Sequence, residues 1–177
     1  MKFFLVLVFV FTLSYADRDG GPYLGYGYGS SEYKSGGLYS SMKDEKAKAE
    51  YFYGGAYINK HLSVELGYVK LKDGGYKVND TVSLNHTLYT VSTLAHYAFF
   101  DDIWDFYAKF GAGYAKSFGE QGFSFVYGAG TSVRFSELFS VKLAYDIYEF
   151  GFDESQNGSA DYKQRIYYPY IGVEFQF

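Results

Sequence analysis

The chain closes with YIGVEFQF, Tyr170 to Phe177, and its last residue is a bare phenylalanine. A chain end in water is ordinarily polar and frayed. Taken every second residue, the stretch separates into Ile171, Val173, Phe175 and Phe177 on one side and Tyr170, Gly172, Glu174 and Gln176 on the other. A period of two is a strand with two unlike faces. Which face meets which medium decides the fold, and the rest of the chain supplies the answer.

At the other end, Met1 and Lys2 precede an apolar run of 11 residues, Phe3 to Leu13, and Ser14-Tyr15-Ala16 has the small-x-small form of a cleavage site. The pattern predicts a secretory signal peptide over residues 1–16 and a mature barrel domain over 17–177, starting at Asp17. The run is well short of the roughly 20 residues that a membrane-spanning helix needs. With no second apolar stretch of that length, any membrane structure has to be built of strands. The absence of cysteine rules out disulfides and thiolate metal sites. A composition of 22 Tyr, 18 Phe and 21 Gly with 2 Pro favours strands over helices. A net charge of −4 gives no nucleic-acid footprint.

Alternation recurs at 23–30, 50–58, 62–71, 83–99, 104–116, 124–135, 139–150 and 165–177, which predicts eight strands. The connections alternate in length. Long polar ones are expected at SEYKSGGLYSSMKDEKAK, KDGGYKVND, SFGEQG and DESQNGSADYKQ, with short ones at NKH, DDI and SE between them. An even number of antiparallel strands with long loops at one rim and short turns at the other is the layout of an outer-membrane β-barrel, with both termini periplasmic. The predicted fold is all-β: an eight-stranded, antiparallel, up-and-down transmembrane β-barrel.

A soluble eight-stranded barrel alternates too, so the character of the polar face has to break the tie. That face carries Gly25, Gly27, Gly29, Ser63, Glu65, Gly67, Lys109, Gly111, Gly113, Ser132, Arg134, Lys142, Ala144, Asp146, Gly172 and Glu174. It is small and lightly charged, whereas a water-facing surface is dense in Lys and Glu. It suits the filled interior of a narrow barrel, and the apolar face then points at lipid. Interfacial aromatics are expected at Phe99, Phe100, Trp104, Phe135, Phe139 and Phe175 on one rim, and at Tyr89, Phe125, Tyr148, Phe150 and Tyr167 on the other. Pro169 has to cost the wall one ladder bond.

The block Gly54 to Tyr68, GGAYINKHLSVELGY, resembles the second and third strands of the small outer-membrane barrels of the OmpA type. Trp104 to Ala115, WDFYAKFGAGYA, is similar to a central strand of that family, and Val141 to Tyr148, VKLAYDIY, to its seventh. The resemblance covers most of the mature chain without the family's peptidoglycan-binding domain. It implies that Phe177 is read by the barrel assembly machinery, and that Glu65 and Lys142 belong to a salt-bridged network in the lumen. The family's second acid beside that base has no match, because Ala144 occupies its place.

From the residues alone, three inward acids (Glu65, Asp146, Glu174) face three inward bases (Lys109, Arg134, Lys142), a balance that predicts an internal network fixing the register. Catalysis on lipid A or phospholipid would need a nucleophile beside a histidine. His61 falls in a short turn, while His86 and His96 share a face roughly 33 Å apart along a strand, too far for a shared metal. Ser92 and His96 lie about 13 Å apart, and no local Ser-His motif exists. The charge run Lys43 to Glu50 reads as solvated loop.

The expected function is therefore a non-enzymatic, monomeric outer-membrane protein, structural or adhesive through its long loops. No cofactor, metal or nucleic acid is expected; outer-membrane lipids, lipopolysaccharide and an unidentified loop ligand are the expected partners. A narrow pore and a lipid-modifying enzyme are the alternatives, and an open bore is disfavoured because water-filled channels belong to barrels of about 16 to 18 strands.

Overall fold

A computed structural model describes residues 20–33, 46–72, 86–117, 120–152 and 162–177. The signal-peptide reading, most of the long connections and the side chain of Phe150 lie outside the described residues. Eight strands run in chain order: β1 (Gly21–Tyr33), β2 (Lys46–Asn59), β3 (Leu62–Lys72), β4 (His86–Phe99), β5 (Trp104–Ser117), β6 (Glu120–Ser136), β7 (Phe139–Phe152) and β8 (Tyr162–Gln176). Each pairs with its neighbours, and β8 pairs antiparallel with β1 to close the barrel. Closure leaves no unpaired edge, as a hydrocarbon environment requires. Among the described residues no helix is long and apolar enough to cross a membrane.

The two faces separate as the alternation predicts. Leu66 is 61% exposed and its neighbour Glu65 only 2%. Leu24, Phe110, Leu143 and Ile171 face outward, while Lys109, Lys142, Asp146 and Glu174 are buried in the lumen. The interior is less small than the sequence reading has it. Tyr23, Tyr51, Tyr53, Tyr57, Tyr107, Tyr148, Tyr168 and Tyr170 are all buried there. Large rings fit because inward glycines give them room: a Cβ on Gly25 would lie 2.1 Å from the Tyr53 ring, and one on Gly130 would lie 2.5 Å from the Tyr107 ring. Tyr148, expected in the outer girdle, is thus a luminal residue.

The strands also run further than the alternation suggested. Ser117 pairs with Glu120, so SFGEQG is a tight connection rather than a long one. Lys46 to Glu50 belongs to β2, not to a loop, because the ladder with β1 continues to Glu32 and Lys46. The long connections are therefore three: β1 to β2, β3 to β4 and β7 to β8. At the opposite rim the β4–β5 turn holds Phe100, Asp101 and Asp102 in the left-handed region, with φ of 55°, 55° and 62°, an uncommon conformation for non-glycine residues.

Pro169 sits in β8 opposite Tyr145, facing outward. On its other side the ladder to β1 passes from Gly29–Tyr170 to Glu32–Tyr167 without the pairs between. The backbones approach closely there: a Cβ on Gly29 would lie 2.0 Å from the Pro169 carbonyl oxygen. The missing proline N–H is accommodated as a local gap in the closing seam. Phe177, far from fraying, donates its N–H to the Pro22 carbonyl at 2.9 Å.

Candidate functional site

The residues with chemical potential converge in the lumen, in two groups. The first is ionic. Lys109, on β5, donates to Asp146 Oδ2 on β7 and to the Tyr51 hydroxyl on β2, both at 2.9 Å, and pairs with Glu65 Oε1 on β3 at 3.0 Å. Tyr51 donates in turn to Glu65 Oε1 at 2.6 Å. Lys142, on β7, pairs with Glu174 on β8, and its Nζ lies 3.9 Å from Glu65 Oε2. Three rings surround that ammonium, with centroids at 5.1 Å (Tyr23), 4.8 Å (Tyr53) and 5.3 Å (Tyr107). Electron-rich ring faces and carboxylates together replace the hydration that a buried ammonium loses.

Five of the six predicted charges thus form one connected cluster: Glu65, Lys109, Asp146, Lys142 and Glu174. Arg134 is the sixth of the charges named from the sequence. It lies at the short-turn mouth, half-buried, and donates to Gln176 Oε1 at 2.8 Å. It pairs in register with Ser140, which pairs in turn with Glu174. Glu174 supplies Lys142 with the carboxylate that Ala144 cannot.

The second group was not visible in the sequence. Ser63 Oγ lies 2.8 Å from His96 Nε2, and His96 Nδ1 lies 2.8 Å from Asp105 Oδ2. The three come from β3, β4 and β5. His96 pairs in register with Tyr107, which places the inward Asp105 on its diagonal, and Ser63 pairs with Leu94, diagonal to His96 on the other side. Counting both strands outward from the Phe100–Ile103 turn would have brought His96 and Asp105 together; nothing local would have supplied Ser63. The atom order is that of a nucleophile, base and orienting acid.

The surroundings are closely packed. Ser63 is fully buried, with the Tyr23 hydroxyl 3.4 Å from its Oγ, and the Tyr57 and Tyr107 rings flank the imidazole at 5.1 and 5.7 Å. A small recess of about 10 Å³ at this mouth is lined by Tyr57, Arg134, Ser140 and Glu174. What the arrangement does is satisfy buried polar atoms and tie three strands together. His61 marks the adjoining turn, its Nδ1 3.4 Å from the His96 carbonyl oxygen. His86 and Ser92 are buried on the same face of β4 as His96.

On the outer surface, Tyr26, Phe52, Tyr68, Tyr89, Tyr114 and Phe123 occupy one continuous register row across β1–β6. At the other rim, Phe99 contacts Phe106 at 5.2 Å, Trp104 stacks on Phe106 at 6.1 Å, and Phe139 meets Phe135 at 6.2 Å and Phe175 at 5.3 Å. These are two aromatic bands on an apolar wall, with the Lys109 and Lys142 ion pairs inside.

The chain matches the outer membrane protein beta-barrel domain family over residues 3–177. It belongs to that family. Among solved structures it is similar to Neisserial surface protein A (16% identity, TM-score 0.61, covering 89% of this chain and 99% of that one). It is similar also to Ail, the attachment invasion locus protein of Yersinia pestis, in complex with the heparin analogue sucrose octasulfate (16% identity, TM-score 0.61, covering 90% and 99%). A third is OprG from Pseudomonas aeruginosa (11% identity, TM-score 0.58, covering 93% and 99%). No curated protein sequence matches the chain. It is an outer-membrane β-barrel protein.

Proposed function

We propose that this barrel is a non-enzymatic surface protein whose short turns and termini lie in the periplasm and whose long connections form an outward recognition surface. The observation that carries the reading is the filled lumen. Lys109 and Lys142 are held by carboxylates and tyrosines from strands all around the wall, leaving the work of the molecule to its loop rim. Long polar connections on a rigid scaffold suit adhesion or contact with a host or environmental ligand. The likeness to Ail, described as an attachment protein, agrees with that use. The terminal strand, ending in Phe177, is the element we assign to recognition by the assembly machinery, and the barrel acts as a monomer.

Refolded protein in planar bilayers tests the central claim. The wild type is expected to carry no current, and Lys142→Ala to open at most a narrow leak; stepwise currents from the wild type would make it a pore. The Ser63–His96–Asp105 chain is the one observation favouring an enzyme. A fluorophosphonate probe is expected to leave Ser63 unmodified, and labelling of Ser63 that needs His96 would establish hydrolase chemistry instead.

A further inference from the structure

On β1, β2 and β8 the luminal tyrosine rings touch one after another. Tyr57, at the short-turn mouth, lies 5.0 Å from Tyr23 between ring centroids; Tyr23 lies 6.3 Å from Tyr53, and Tyr53 stacks on Tyr51 at 4.9 Å. Beyond Tyr51 the rings continue to Tyr170 at 5.6 Å and from there to Tyr168 at 4.9 Å. The stretch of β2 from Tyr57 to Tyr51 is roughly 20 Å long at the rise of a strand. Filling a narrow barrel explains rings in contact. It does not explain where their hydroxyls point.

A buried phenol is satisfied by any acceptor, and a backbone carbonyl is enough. Tyr53 donates to the Val173 carbonyl oxygen and Tyr168 to that of Ala49, both at 3.3 Å. Three hydroxyls of the chain donate instead to carboxylates. Tyr57 reaches Glu174 Oε1 at 3.1 Å, Tyr23 reaches Glu65 Oε2 at 3.3 Å, and Tyr51 reaches Glu65 Oε1 at 2.6 Å. Unlike a carbonyl, a carboxylate can take the proton and keep it. Either acid can be neutralised without stranding an ammonium, because Lys109 also pairs with Asp146 at 2.9 Å and Lys142 is shared between Glu174 and Glu65. A phenol bonded to a base and in ring contact with the next phenol is what one-electron oxidation of tyrosine needs, since loss of the electron makes the phenolic proton strongly acidic.

We propose that Tyr57, Tyr23 and Tyr51 form a radical relay, which draws the oxidising equivalent of a small oxygen-centred radical from the short-turn mouth into the lumen and away from the lipid-facing wall. Tyr57 is the entry, because it lines the recess at that mouth with Arg134 and Glu137. There the oxidant gains one electron and leaves as its anion; Tyr57 passes its proton to Glu174 and becomes a neutral phenoxyl radical. Tyr23 next supplies an electron to Tyr57, which recovers its proton from Glu174, while the proton of Tyr23 moves to Glu65. Tyr51 repeats the exchange across the Tyr53 ring: its electron reduces Tyr23, Glu65 returns the proton at Oε2 and accepts that of Tyr51 at Oε1. The radical rests at Tyr51, with Glu65 protonated. The bond from Tyr51 to Glu65 is the shortest of the three, and Lys109 donates to the same phenol oxygen at 2.9 Å.

The chain has no cysteine, so Glu137→Cys carries a single ruthenium polypyridyl sensitiser beside the recess. Flash oxidation with a cobalt(III) quencher then creates the oxidant at the mouth alone, on protein verified as folded by heat-modifiable mobility. A tyrosyl radical is expected by transient absorption and by freeze-quench electron paramagnetic resonance. Placing 3-fluorotyrosine at position 51, which keeps ring and hydroxyl, should add fluorine splitting to its spectrum. Tyr51→Phe should shorten the radical lifetime about tenfold or more, the factor that one hydrogen bond to a charged group is worth. Tyr57→Phe should lower the yield, whereas Tyr97→Phe on the outer wall should change neither yield nor lifetime. Protein refolded in deuterium oxide should form the radical more slowly, because protons move with the electrons. No tyrosyl signal, a spectrum without fluorine splitting, a yield untouched by Tyr57→Phe or an unchanged rate in deuterium oxide would overturn the proposal.

Discussion

Two groups of polar side chains are buried in the same lumen, and they answer different needs. Around Lys109 and Lys142, full charges are buried and every ammonium has carboxylate partners and a tyrosine ring. Along Ser63, His96 and Asp105, a chain of hydrogen bonds joins three strands at the mouth with two contacts of 2.8 Å. The ionic cluster cannot tolerate the loss of one member, because a buried charge left alone is far more costly than an unmade neutral hydrogen bond. Tyrosine is what makes both possible, since its hydroxyl donates while its ring fills space. Tyr51 bridges Lys109 and Glu65, and Tyr57 donates to Glu174 at 3.1 Å while its ring packs on His96.

The sharpest way to break this contrast is Lys109→Met, which leaves Glu65 and Asp146 facing each other and is expected to cost about 3–5 kcal/mol in urea unfolding from detergent or vesicles. Adding Asp146→Leu should return at least half of that loss; no recovery would mean that Lys109 acts through packing rather than charge. At the mouth, His96→Phe keeps a ring between Tyr57 and Tyr107 but strips Asp105 and Ser63 of a partner, with an expected loss of about 1–3 kcal/mol. Ser63→Ala should lose about 1 kcal/mol, the ordinary worth of one hydrogen bond. A larger loss in Ser63→Ala than in Lys109→Met would invert the comparison. Outside the lumen, Arg165→Gln should leave the unfolding midpoint unchanged, because its pair with Glu149 is open to solvent.

The ionic cluster was legible in the sequence and the mouth chain was not, for a physical reason. Alternation reports which face a residue occupies, so Glu65, Lys109, Lys142, Asp146 and Glu174 announced themselves as inward charges that had to find one another. Alternation says nothing about height in the barrel. It therefore gave no sign that Arg134 would bond Gln176. Ser63, His96 and Asp105 become neighbours only through two strand registers, which are set by turns and not by periodicity. The luminal tyrosines hid for a similar reason. On β2 and β8 tyrosine occurs on inward and outward faces alike or beside other aromatics, and only the matching glycines on adjacent strands show where a ring has room. Strand ends were read short because ladders continue past the apolar band, as Lys46–Glu32 and Ser117–Glu120 show.

Phe177 donating its N–H to Pro22 places the two ends of the barrel sequence within one hydrogen bond of each other. The order of the strands along the gene is therefore not demanded by the architecture. A circular permutant that joins 177 to 20 through a short linker and begins within the β3–β4 connection would keep all eight strand pairings while moving the terminal phenylalanine to the interior of the polypeptide. Such a molecule would fold in detergent on the strength of its pairings yet lack its natural last strand at the chain end, separating the instructions for shape from those for delivery.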